Sequence, residues 1–196
     1  MFTIARKEKV RPVGKNRKPL LLVVFGAPGA GKSTLARVLA KRLGCVVLDK
    51  DMVDEAFSPG VRDAEYQEKI EPKCYEAMAN VAVENLALGN SIIVDAPMAN
   101  KYSKVDEVVE KMKCAAEKAG AELRLVECNL SLEKLKERIT KRGLERDANK
   151  LTREGWERFS SELKILEKTK ARHYDVDCSK SPEENAELII GHLKEP

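Results

Sequence analysis

The run Leu20-Leu21-Leu22-Val23-Val24-Phe25 is wholly apolar, and it opens directly into Gly26-Ala27-Pro28-Gly29-Ala30-Gly31-Lys32-Ser33-Thr34, a complete G-x-x-x-x-G-K-[ST] pattern. Leu35, Ala36, Val38, Leu39 and Leu43 then recur at helical spacing. Buried strand, glycine-rich turn and helix in that order make a phosphate-binding loop, because each part has a physical task. The glycines let backbone N–H groups close around a triphosphate, and the helix starting near Gly31 adds the positive end of its dipole. Lys32 brings an ammonium, and the Ser33 hydroxyl is placed to ligate Mg²⁺. Residues 26–34 are therefore the expected site for the phosphates of a nucleotide.

Working outward, the same alternation continues. Strand-like runs fall at 45–48, 91–94, 123–127 and, more weakly, 174–177. Helical patterns cover 31–43, 62–88, 104–119, 131–142, 153–170 and 182–194, the last opened by Ser181-Pro182-Glu183-Glu184 with a capping serine and a first-turn proline. Strands alternating with helices of that length predict βαβ units, a parallel sheet and an α/β fold.

A chain of 196 residues with 43% hydrophobic content suits one domain, expected over 19–196 behind a basic leader at 1–18. The leader holds seven basic residues against Glu8, a net +6 that leaves the remainder of the chain at −2 within its total of +4. A near-neutral body argues against long nucleic acid as a partner, since backbone binding needs a positive stripe. The apolar run before the loop is too short to cross a bilayer, and residues 1–19 lack the apolar core of a secretory signal, so a cytoplasmic protein with no membrane partner is expected. Cys45, Cys74, Cys114, Cys128 and Cys178 show no C-x-x-C spacing, which predicts reduced, mostly buried thiols rather than a zinc or disulfide framework.

In open α/β sheets a ligand sits beyond the carboxyl ends of the strands. Asp49-Lys50-Asp51 follows the second strand-like run and Asp95-Ala96-Pro97 the third, so three carboxylates should converge on the phosphate side. Alternation at the strand end would aim Asp49 and Asp51 in different directions, one toward a magnesium-bound water and one toward a substrate hydroxyl. The alternative is that Asp51 only caps the helix over 52–57. Asp95 stands where a carboxylate touches the magnesium shell, or else caps a turn before Pro97. No glutamate follows it, which argues against steady ATP hydrolysis as the purpose. Arg138, Arg142 and Arg146 lie in a charged stretch broken by Gly143 and have the look of a lid over about 138–153, with Arg142 and Arg146 ranked first for phosphate contact.

With these residues in place, the sequence resembles the small P-loop kinases, the group of shikimate and gluconate kinases, chloramphenicol phosphotransferase, the kinase part of polynucleotide kinase and zeta-type toxins. The resemblance spans about 20–194 and rests on 26–34, the Asp49-Lys50-Asp51 ending, Gly89 to Ala96 and the Glu137-Arg138-x-x-x-Arg142-Gly143 approach to the lid. It implies a five-stranded parallel sheet in the order 2-3-1-4-5, with ATP and Mg²⁺ as cofactors. By position it implies that Gly26, Ala27, Pro28, Gly29, Ala30, Gly31, Lys32, Ser33 and Thr34 hold phosphate, with Arg138 and Arg142. Ser33, Asp49 and Asp95 would organise the metal, Asp51 would be the catalytic base, and the loop of Cys178 to Pro182, Ser179 included, would border adenine. The acceptor region falls at about 52–88. The expected activity is transfer of the γ-phosphoryl group of ATP to a hydroxyl of a small molecule by a monomer or homodimer. The alternatives are a nucleoside or polynucleotide 5′-hydroxyl kinase, or a nucleotide-dependent switch acting on a protein partner.

Overall fold

The computed structural model describes residues 18–58, 65–97, 105–165 and 168–194, the side chain of Arg146 excepted. Five strands, β1 (Leu20–Gly26), β2 (Val46–Asp49), β3 (Ile92–Asp95), β4 (Glu122–Asn129) and β5 (Tyr174–Asp177), form one sheet in the order β2-β3-β1-β4-β5. Every pairing is parallel, as the alternation of strands and helices predicts.

The central strand explains the unbroken apolar run. Leu21, Val23 and Phe25 face α3 (Glu71–Ala87) and α4 (Val105–Lys118), where Met78, Leu86 and Met112 complete one core layer. Leu22 and Val24 face α1 (Lys32–Leu43) and α8 (Pro182–His192), with Leu35, Leu39 and Ile189 in the opposite layer. A strand covered on both faces needs apolar residues at every position, not at alternate ones. The predicted capping of α8 is present, with Ser181 and Glu184 forming a reciprocal capping box.

Some boundaries differ from expectation for local reasons. The pattern over 62–88 is not one continuous α-helix: a π-helical turn, Tyr66–Ile70, precedes α3, and residues 59–64 lie outside the described set. Pro72 in the first turn of α3 has no N–H to donate backward, so a regular ladder cannot run through it. α5 (Leu132–Arg142) leads through Gly143 to a 3₁₀ turn, Glu145–Asp147, then α6 (Ala148–Leu151) and α7 (Arg153–Ile165). By residue 169 the chain has left the helix, and the Thr169 hydroxyl donates to Asp106 at 2.7 Å. Of the basic leader only Lys18 is described. Among the described residues no helix is long and apolar enough to cross a membrane.

Candidate functional site

β1 delivers its glycine-rich loop to a cleft of about 900 Å³ lined by residues from Pro28 to Leu35. The loop's shape requires glycine at Gly26, where φ is 136° and an added Cβ would run into the Cys128 carbonyl of β4. Gly31, with φ 107°, is the N-cap of α1 and offers no side-chain cap, so the first N–H groups of the helix are left to an anion. The Lys32 ammonium donates to the Ala27 carbonyl at 3.1 Å, lying across the mouth of the loop.

The strand ends supply carboxylates, with one correction to the expected geometry. Only Asp49 belongs to β2; the chain turns at once into α2 (Lys50–Phe57), and Asp51 stands in that helix's first turn. Alternation along a strand therefore does not orient this pair, and Asp49, not Asp51, is the helix cap, its Oδ1 accepting from the Asp51 N–H at 2.9 Å. The other oxygen of Asp49 is 3.5 Å from Arg37. Parallel pairing sets Asp49 level with Asp95, and both line the cleft with Asp51.

Asp95 is 3% exposed, and its Oδ2 has no hydrogen-bond partner among the described residues. Burial pushes its carboxyl above the ordinary aspartate range against the Lys32 ammonium and the Ser33 hydroxyl, and Asp49 and Asp51 push the same way as burial. A buried carboxylate oxygen without a donor, beside a serine hydroxyl and a second aspartate, is a donor set that suits a hard divalent cation such as Mg²⁺.

Cations of the charged stretch line the same cleft. Asp147 is fully buried and accepts from Arg142 Nε at 2.7 Å and from Lys150 Nζ at 2.7 Å, and all three line the cleft together with Arg158. The side chain of Arg146 lies outside the described residues. Arg138 faces the phosphate loop itself, donating to the Ala30 carbonyl at 3.0 Å and to the Cys178 carbonyl at 2.7 Å. It thereby ties the loop to the turn after β5. In that turn Cys178, Lys180 and Pro182 line the cleft, while Ser179 folds back onto Asp177, its hydroxyl donating at 2.9 Å. The thiols meet beneath: Cys128 donates to Cys178, and that hydrogen bond, with Arg138 adding, holds the Cys178 thiol below its usual range against the opposing effect of burial.

Sequence reasoning missed Asp147, Lys150 and Arg158, and it gave no role to Lys50. That lysine, between the two aspartates, is 1% exposed and bonds Asp54 at 2.7 Å and Glu71 at 2.8 Å. The Tyr66 hydroxyl and the face of Tyr75 also stand against it, and Tyr66, Gln67 and Glu71 line the cleft. Lys50 and Asp54 are four residues apart on one helix, a spacing that signals a pair but not its burial.

A loop, helix and strand-end carboxylates so arranged can be compared with known proteins. The family model described as an AAA domain matches residues 21–166. The chain belongs to this family. No curated protein matches this AAA-domain chain by sequence. Among solved structures it is similar to the APS kinase of Mycobacterium tuberculosis in complex with AMPPNP and APS, at TM-score 0.65 and 18% identity, over 91% of this chain and 99% of that one. It is also similar to a gluconokinase from Sinorhizobium meliloti (TM-score 0.60, 19% identity, 91% and 95% covered). A third is the shikimate kinase of Acinetobacter baumannii in complex with shikimate (TM-score 0.55, 18% identity, 89% and 92% covered). The fold of this AAA-domain protein is that of the small P-loop kinases, sheet order included.

Proposed function

We propose that the protein is an ATP- and Mg²⁺-dependent kinase that phosphorylates a hydroxyl of a small molecule. One observation carries the reading: the phosphate loop, Asp51, Asp95, Arg142, Lys150 and Arg158 all line one cleft. Phosphoryl transfer needs little more than this, because its catalysis is mainly positioning and charge stabilisation.

In this reading the amides of residues 29–34 and the Lys32 ammonium hold the triphosphate. Ser33 and Asp95, with Asp49 behind them, hold Mg²⁺, which when bound neutralises charge on the phosphate oxygens. Asp51 orients the acceptor hydroxyl and takes its proton. Arg142 and Lys150 come over the transferring group as residues 138–153 close, excluding water. Arg138 shapes the loop through its two carbonyl contacts, and Cys178, Lys180 and Pro182 border the base. The acceptor lies against Tyr66, Gln67 and Glu71.

The test is ADP release with Mg²⁺ and ATP across pooled polyols, sugars, nucleosides and 5′-hydroxyl oligonucleotides, run beside Asp51→Asn. Acceptor-dependent turnover reduced by about 10²–10⁴-fold in the variant, with ATP still bound, is the expected result. Tight ATP binding that no acceptor converts into turnover would replace this reading with a nucleotide-dependent switch.

A further inference from the structure

Three residues at the β4–β5 edge of the sheet lie on one face because of strand register. Glu127 is the partner of Asp175 across β4 and β5, and His173 precedes Asp175 by two positions. Their ligand atoms all lie within 4.8 Å of one another, with His173 Nε2 at 3.2 Å from Glu127 Oε2 and 3.7 Å from Asp175 Oδ2. The ring is oriented from outside the group. Its Nδ1 is 2.8 Å from the Ala171 carbonyl, a contact in which a ring nitrogen can only be the N–H donor, and Phe25 packs against it at 5.9 Å between centroids. Asn129 donates to the other oxygen of Asp175 at 2.7 Å, which leaves Oδ2 turned toward the imidazole.

With Nδ1 committed to the Ala171 carbonyl, Nε2 is the ring nitrogen presented to the two carboxylates, and the three ligand atoms surround one point that a cation can occupy. An imidazole fixed by a backbone carbonyl, with its second nitrogen presented beside carboxylates, is how proteins orient histidine for a divalent metal. We propose that Glu127, His173 and Asp175 bind a divalent transition ion, Zn²⁺ or a relative such as Co²⁺ or Ni²⁺, at a site separate from the phosphate cleft. The imidazole selects these ions over Mg²⁺ and Ca²⁺, which take oxygen ligands. The side chain of Asp175 is 65% exposed, so the ion enters from that side and keeps water in its remaining position. Lys164 and Lys168 border the neighbouring 280 Å³ cavity with Glu127 but are themselves exposed. The ion would bridge β4 to β5 just ahead of the turn that lines the nucleotide cleft.

The experiment uses the full chain stripped with a chelator and dialysed, then titrated with Co²⁺ under a large excess of Mg²⁺ that occupies the oxygen-donor site. Wild-type protein is expected to bind one equivalent with a visible ligand-field band that Zn²⁺ abolishes, and to melt at a higher temperature when loaded. His173→Gln and Asp175→Asn should each weaken Co²⁺ binding by at least about tenfold. Because Asp175 is exposed, its variant tests the site even if His173→Gln does not fold. No saturable Co²⁺ binding in the wild type, or equal affinity in Asp175→Asn, overturns the proposal and leaves His173 as a protonated ion-pair partner of Glu127.

Discussion

Asp95 carries a stability cost in return for its position. Its carboxyl titrates above the aspartate range in the folded protein and within that range when unfolded. The folded state therefore binds the extra proton between those limits, and stability falls as pH rises through the raised folded value. At neutral pH the ionised form costs stability, so Asp95→Asn should raise the thermal midpoint at pH 7 and lose that advantage at acid pH, while Mg²⁺-dependent activity disappears. Differential scanning calorimetry across pH checks the first part, and an unchanged or lower midpoint at pH 7 contradicts it.

In the proposed mechanism the stretch from α5 through α7 supplies cations to the transferring group. Its cations do not stand alone: buried Asp147 holds Arg142 and Lys150 together beside the cleft. Arg142→Ala should lower turnover by about 10²–10³-fold with a smaller change in ATP affinity, since the group is assigned to the transferring phosphoryl. Steady-state kinetics beside equilibrium nucleotide binding separate the two effects. Further along, Gly155 sits where α7 passes α6 so closely that an added Cβ would lie 2.8 Å from both the Asn149 carbonyl carbon and the Thr152 hydroxyl. Gly155→Ala should force the two helices apart, costing about 1–3 kcal/mol in urea unfolding. Wild-type stability in that variant would mean the turn yields freely.

Across the whole molecule, the end of β2, the π-helical turn and α3 meet at Lys50, whose ammonium is buried between Asp54 and Glu71. Lys50→Met removes the ammonium that Asp54 and Glu71 share, and a loss of about 3–5 kcal/mol is expected. Denaturant titration reads that loss, and wild-type stability in the variant contradicts it. Nucleotide should act in the opposite direction on the same global equilibrium: ATP with Mg²⁺ at a hundred times its dissociation constant stabilises by about 2.7 kcal/mol. For a chain of this size that is a shift of several degrees in the thermal midpoint.

Much of this architecture is legible in the linear chain because it is written in local terms. A strand buried on both faces demands an unbroken apolar run, a phosphate loop demands glycines at fixed offsets before Lys32 and Ser33, and a helix start demands Ser181 with Glu184. The strands, their parallel sense, the loop and the two strand-end aspartates Asp49 and Asp95 therefore follow from the sequence. Some features are local yet not legible: whether Asp51 extends a strand or enters a helix turns on Asp49 capping the next segment, and spacing permits Asp147 to pair with Arg142 and Lys150 without showing that it is buried. Other features depend on what residues distant in the chain do to one another. That Arg138 clasps the Ala30 and Cys178 carbonyls and that Glu127 meets His173 are decided by packing and register, which bring together side chains that no spacing in the sequence relates.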